Sequence, residues 1–182
     1  MLYTRKGDGG TSGLFGTKER LSKDSLVFEA LGTVDELNSL LGICRARFAK
    51  KDKRISNEIL KAQESLFIVQ AELAGVTETL EQSHIDSLEQ TIEDFESEIT
   101  NPHSFVVPGV TEHSALFDFA RAVSRRAERT VIAALSDRAV SPETLAYLNR
   151  LSSLLYVLAR YVAVRKNIRE LSPSYKDNLK SV

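Results

Sequence analysis

Two stretches of this chain concentrate groups that grip anions. The first is YTRKGDGGTSGLFG over residues 3–16, followed by Lys18, Arg20 and Lys23. Five of the nine glycines, Gly7, Gly9, Gly10, Gly13 and Gly16, fall within those first sixteen residues. Glycines let successive backbone N–H groups turn toward one ligand, and hydroxyls and cations add donors, so this arm suits a polyanion. It lacks the Gly-Lys-Ser/Thr ending of a P-loop. The same composition also describes a solvated, disordered terminus.

The second stretch is ARAVSRRAER, residues 120–129, where Arg121, Arg125, Arg126 and Arg129 face one glutamate, Glu128. At about 100° per helical residue, Arg121, Arg125 and Glu128 share a side, Arg129 lies near it, and Arg126 points away. Guanidinium is the group for forked recognition of phosphate or carboxylate. A solvated helix face or an oligomer interface would use the same residues. Two further polar groups accompany these. Asn149, Ser152, Ser153, Tyr156 and Arg160 make the polar side of a later helix. GTVDELNS, residues 32–39, sets Asp35 and Glu36 on a helix rich in small and apolar residues. A carboxylate there can cap its own helix or pair with an arginine elsewhere.

What the chain lacks narrows the chemistry. The one cysteine, Cys44, excludes an internal disulfide or a multi-cysteine metal site, and its apolar neighbours suit a core position. His84, His103 and His113 are scattered, the two Glu-x-x-His motifs of a carboxylate-bridged di-iron bundle are not both there, and no Ser–His–Asp arrangement is present. A net charge of -1 and a pI near 6.3 argue against a general nucleic-acid binder. No apolar run approaches the roughly 18 residues of a membrane span, and the N-terminus lacks the apolar run of a signal peptide. The expectation is a soluble cytoplasmic protein of one domain.

Helices must position these groups. Ile85, Leu88, Ile92, Phe95 and Ile99 step by 3, 4, 3 and 4, which is one helix face, with Ser83 and Asp86 at its start. Ile55, Ile59, Ala62, Leu66, Val69 and Leu73 form another stripe, which Gly75 stops. Before it a helix ends near Phe48; its start lies between Asp24 and the capping-box-like Thr33–Glu36. A fourth starts near Thr111 with its seam at Leu116, Ala120, Val123, Ala127, Val131 and Ala134. The fifth opens on Ser141-Pro142-Glu143, with Tyr147, Leu151, Leu154, Leu158 and Tyr161 inward. No alternating stretch of useful length predicts a strand. The fold class is all-α, a five-helix up-and-down bundle with a glycine-rich N-terminal arm over 1–22, a body over 23–169 and a loosely packed tail over 170–182.

In order along the chain, TRKGDGGTSGLFG, SKD, EALGTVDELNSLLG, LFIVQAELA, FVVPGVTEHSA, RAVSRRAER and YLNRLSSLLYVLARY resemble the PduO-type ATP:cob(I)alamin adenosyltransferases. The resemblance implies transfer of the 5′-deoxyadenosyl group of ATP to cob(I)alamin, with release of triphosphate. It implies that Thr4, Arg5, Lys6, Gly7, Thr11, Ser12, Gly13 and Lys23 wrap the triphosphate. Arg125, Arg126, Glu128, Arg129 and Asn149 match nucleotide-contacting positions, with Mg²⁺ held through the phosphates. Phe105 matches the aromatic residue below the corrin, and Asp35 and Arg121 match a pair that bridges subunits near the site. Arg125, Arg121 and Asp35 are thus the catalytic candidates. The resemblance further implies a homotrimer with intersubunit sites, an external reductase and an adenosylcobalamin-dependent client. Two positions depart from the commoner pattern: Ser153 where an aspartate is usual, and Asp118 where a histidine is. A nucleotide-sensing bundle or a helical scaffold would share the arm and the arginine face.

Overall fold

The computed structural model describes residues 3, 5–14, 18–100 and 104–174. Five helices account for most of them: α1 (Leu26–Phe48), α2 (Lys53–Leu73), α3 (Gln82–Glu96), α4 (Glu112–Ala134) and α5 (Pro142–Val164). Four begin at side chains that accept from the otherwise orphaned first N–H groups. Ser25 caps α1, Asp52 caps α2 through both Arg54 and Ile55, Thr111 caps α4, and Ser141 caps α5 ahead of Pro142. The start of α3 differs from expectation. Its cap is Glu81, and His84 Nδ1 accepts from the Glu81 N–H at 3.1 Å, so Ser83 and Asp86 do not form the box.

Packing runs in the order α2–α1–α4–α5–α3 around the bundle, with α4 against α5 and α1 as the main seam. The stripes read from the sequence meet inside. Leu37, Leu41, Ile59, Leu66, Phe95, Phe117, Leu148, Leu151 and Leu154 are all buried. Phe117 stacks on Phe48 with centroids 5.4 Å apart, joining α4 to the end of α1. Truncating Phe117 to alanine is expected to cost about 3–5 kcal/mol, because the lost contacts come with a cavity; urea unfolding measures it. Cys44 lies in this core, and burial pushes its thiol up to about 11, as suits packing rather than nucleophilic work.

The arm is ordered where it is described. Strands β1 (Thr11–Gly13) and β2 (Arg20–Ser22) pair antiparallel, Thr11 opposite Ser22 and Gly13 opposite Arg20. Strands this short carry no alternation that a sequence pattern could reveal. Leu14 packs against Val27 of α1 and Ala74 at the end of α2, and Glu19 pairs with Arg138 at 3.0 Å. The hairpin therefore docks at the end of the bundle where α1 begins and α4 ends. The described part of the tail is also anchored, as its contacts below show.

Candidate functional site

Around the arm, one guanidinium organises the backbone. Arg20 Nη2 donates to the Lys6 carbonyl at 2.6 Å, to the Thr11 carbonyl at 3.0 Å and to Thr11 Oγ1 at 2.9 Å. Arg5 takes a positive φ of 59°, Gly10 one of 79°, and the Gly10 carbonyl accepts from the Lys23 N–H at 2.9 Å. These bonds gather Arg5, Lys6, Gly7, Thr11, Ser12, Gly13 and Lys23 into one small turn-and-hairpin. The Lys23 side chain lies across Gly7, whose missing Cβ would stand 3.1 Å from Nζ. Thr4 falls outside the described residues.

The second group lies on α4 and α5. Arg121 and Arg125, one turn apart, line a cavity of about 430 Å³ with Ile92, Ser152, Ser153 and Tyr156. Glu128 Oε1 accepts from Asn149 Nδ2 at 3.0 Å, and Arg150 Nη1 donates to Asn149 Oδ1 at 3.1 Å. That chain orients the amide and leaves Arg129 exposed beside it. Arg126 turns the other way, as its angle on the helix requires, and pairs with Glu36 of α1. Asp35, the neighbour of Glu36, is exposed, and among the described residues it makes no bond to Arg121.

A second cavity of about 520 Å³ adjoins the first, because Arg121 and Tyr156 line both. Its outer wall is the stretch from Ser104 to Pro108, where Phe105 is 73% exposed. Its floor is an ion cluster that the sequence reading missed. Arg160 is only 3% exposed; it donates to Asp118 Oδ2 at 2.7 Å and stands 2.8 Å from Glu170 Oε1. Burial pushes the Glu170 carboxyl above its ordinary pKa, and Arg160 opposes that. The signal was available: Arg160 sits in LLYVLARYVAV, apolar on every side, and a buried cation requires a carboxylate. Asp118 supplies one.

Glu170 brings the tail with it. The Leu171 carbonyl accepts from the Val107 N–H at 2.7 Å, and the hydroxyls of Ser104 and Ser172 are 3.5 Å apart. The segment bearing Phe105 is thus tied to α5 through the tail. At the centre, Arg121 Nε is buried with no hydrogen-bond partner among the described residues. A buried unpaired guanidinium nitrogen is costly, so it marks where an acceptor is missing.

The helices therefore put Arg121 at both cavities and Arg125 at the first, with Glu128, Arg129 and Asn149 further along α4 and α5, and leave the arm elsewhere. Glu19 fastens the arm to Arg138, just past the end of α4, whose last residue Ala134 lies about 14 Å along the helix from Arg125. Among the described residues no three His, Cys, Asp or Glu side chains could together hold a metal ion. Among the described residues no helix is long and apolar enough to cross a membrane.

The class this defines is a five-helix bundle with a cavity lined by Arg121, Arg125 and Glu96 beside one rimmed by Phe105. The chain matches the cobalamin adenosyltransferase family over residues 2–162, and it belongs to that family. It is 36% identical over 176 residues to the corrinoid adenosyltransferase of Bacillus subtilis (strain 168), covering 93% of this chain and 90% of that one. It is 35% identical to the human corrinoid adenosyltransferase MMAB over 179 residues, 93% of this chain and 71% of that. To corrinoid adenosyltransferase PduO of Salmonella typhimurium the identity is 38%, over 96% of this chain and 54% of that longer one. In three dimensions it is similar to a PduO-type ATP:corrinoid adenosyltransferase from Lactobacillus reuteri, solved as a Phe-to-His variant with cobalamin and ATP. The TM-score is 0.89 at 26% identity, over 96% of this chain and 97% of that one.

Proposed function

We propose that this chain transfers the 5′-deoxyadenosyl group of ATP to cob(I)alamin or a related corrinoid, giving adenosylcobalamin and inorganic triphosphate. One observation carries the reading: an arginine cavity for phosphates is continuous with a cavity rimmed by Phe105, and the unpaired Arg121 nitrogen stands at their junction. In the reaction the Co(I) lone pair attacks C5′ of ATP. A Co–C bond forms, the C5′–O bond breaks, its electron pair leaves with triphosphate, and cobalt ends formally as Co(III). Co(I) is itself the nucleophile, so the buried Cys44 and the scattered histidines are not needed.

The chain's own work is alignment and charge. Arg125 and Arg129 meet the charge that grows on triphosphate, while Asn149, held by Glu128, orients the nucleotide. Thr4, Arg5, Lys6, Gly7, Thr11, Ser12, Gly13 and Lys23 wrap the triphosphate. Arg126 reaches it only by leaving Glu36. Phe105 covers the lower corrin face and excludes water there. Mg²⁺, bound mainly by phosphate oxygens, would neutralise part of the triphosphate charge. Glu128, the carboxylate among the arginines of α4, would help to hold its water shell.

The site reads as intersubunit. The arm docks about 14 Å along the bundle from Arg125, a span that an arm supplied by a neighbouring copy would close. Asp35 stands exposed for the Arg121 of a neighbouring copy. Ile43, Phe67 and Phe119 leave apolar surface on the adjacent helices α1, α2 and α4, as a homotrimer would cover. The body is one catalytic domain, with 1–22 as its nucleotide arm and 170–182 as its tail. An external reductase must supply Co(I). ATP and that reductant place the reaction in the cytoplasm, and an adenosylcobalamin-dependent enzyme receives the product.

The test is the appearance of adenosylcobalamin absorbance, bleached by light, from Mg-ATP and chemically reduced cobalamin, with one triphosphate per Co–C bond. ATP binding without that bond would overturn the transferase reading in favour of a nucleotide sensor.

A further inference from the structure

The end of the bundle opposite the arm holds a separate cavity. The close of α1, the start of α2, the start of α4 and the close of α5 line an open cleft of about 390 Å³ there, with Lys51, Arg165 and Lys166 exposed at its mouth. The arm sits at the start of α1, whose 23 residues put this cavity about 34 Å away. It shares no lining residue with either cavity above.

His113, 9% exposed in the first turn of α4, lies at its centre, edge-on to Phe48 with ring centroids 5.1 Å apart. Both ring nitrogens face ammonium groups. Lys51 Nζ is 3.2 Å from Nε2, and Lys166 Nζ is 3.5 Å from Nδ1. A neutral imidazole offers one lone pair and one N–H, so it can accept from only one lysine and turns a donor toward the other. Charging the ring would remove the remaining acceptor as well. Burial, Lys166 and Lys51 all hold His113 below its ordinary pKa, so at neutral pH the ring is uncharged and one ammonium faces an N–H.

No carboxylate repairs this mismatch among the described residues. Asp52 lines the cavity, but its Oδ1 already accepts from the Arg54 and Ile55 N–H groups. Glu112 is paired with Arg47 at 3.2 Å. Arg165 adds a third cation to the lining. Phe48, Ile55, Tyr161 and Val162 complete it with apolar wall. A pocket of this size, with polar groups converging on an apolar chamber, is within the usual range for small-molecule sites.

We propose that this cavity binds an organic oxyanion, its carboxylate or phosphate head between Lys51 and Lys166 and its short apolar body against Phe48, Ile55, Tyr161 and Val162. The head supplies the acceptors that one imidazole cannot, and the walls exclude inorganic anions of equal charge in favour of those with an aromatic or short aliphatic body. The proposal does not depend on the adenosyltransferase reading.

The test follows the His113 ring by two-dimensional ¹H–¹³C NMR of the full-length protein, with the resonance assigned by its loss in His113→Gln. 3-Phenylpropionate and phenyl phosphate are titrated separately against the neutral 3-phenylpropionamide. At least one acid should shift the His113 signals saturably, with a dissociation constant below about 1 mM, and raise the pH at which the ring titrates. The amide should do neither. Saturation by only one acid identifies the head group, and either result supports the site. Lys51→Met combined with Lys166→Met should abolish the response while ATP binding persists. The proposal is overturned by no saturable shift with either acid, by an equal response to the amide, or by an undiminished response in the double variant.

Discussion

A methyl group at Gly7 would meet the Lys23 ammonium at 3.1 Å and its Cε at 3.4 Å. Both atoms belong to the flexible end of a side chain, so Gly7→Ala moves the lysine rather than the fold. If Lys23 grips the triphosphate, that variant keeps its melting temperature within a degree or two while KM for ATP rises roughly tenfold, the equivalent of about 1.4 kcal/mol of lost charged contact. An unchanged KM would remove Lys23 from the nucleotide site. His113 makes a second residue-scale prediction, through pH. Its folded pKa is depressed, chiefly by burial, then by Lys166, Lys51 and Arg47, against which Glu112 acts in the raising direction. Arg165 and Asp52 also line its cavity. Below about pH 6.5 the unfolded chain therefore binds a proton that the native ring resists. Stability contributed by the neutral ring is present above that pH and is lost as pH falls. Melting curves from pH 7.5 to 5.5 should show the loss in the native protein and a flatter profile in His113→Gln.

Among the elements, the stretch with Phe105 and the tail behave as one unit, since Leu171 holds Val107 and Glu170 reaches the buried Arg160. Glu170→Gln keeps the shape and removes the charge that draws the tail onto α5. Loosening that tie is expected to raise KM for the corrinoid roughly tenfold, again one charged contact, while KM for ATP and the helical circular dichroism stay as they were. Equal effects on both substrates would point to general damage. The helices themselves were legible because their apolar residues repeat at three and four, and Ser141-Pro142 announces α5 as plainly as a sequence can. The hairpin was not, since three-residue strands are too short for a period, and its order comes from Arg20 donating to carbonyls fourteen and nine residues back. The start of α3 misled because His84 can act as a capping acceptor and Ser83-x-x-Asp86 resembles a box. The tail's polar composition suggested looseness, but two backbone atoms and one carboxylate suffice to pin residues 170–172. The arginines at 121, 125 and 129 were readable as a face; that Arg126 would be taken by Glu36 depends on how α1 lies against α4.

For the whole molecule, the proposed nucleotide site has two halves, the arm and the arginine face, that lie apart along the bundle. The arm docks where α1 begins and α4 ends, and Arg125 lies about 14 Å back along α4. On the proposed intersubunit reading each arm serves a neighbour's arginine face, and a closed ring of copies is the arrangement that pairs every arm with such a face. Lys23→Ala and Arg125→Ala should each lower turnover by a factor of roughly 100 or more, with each assembly otherwise intact. When the two inactive variants are unfolded together and refolded as a mixture, random association places an intact arm against an intact arginine face in about a quarter of the sites. Turnover should recover to about a quarter of the native value, and sedimentation should give three chains per particle. If both halves belonged to one chain, every site would carry a defect, and the mixture would stay as inactive as its parents.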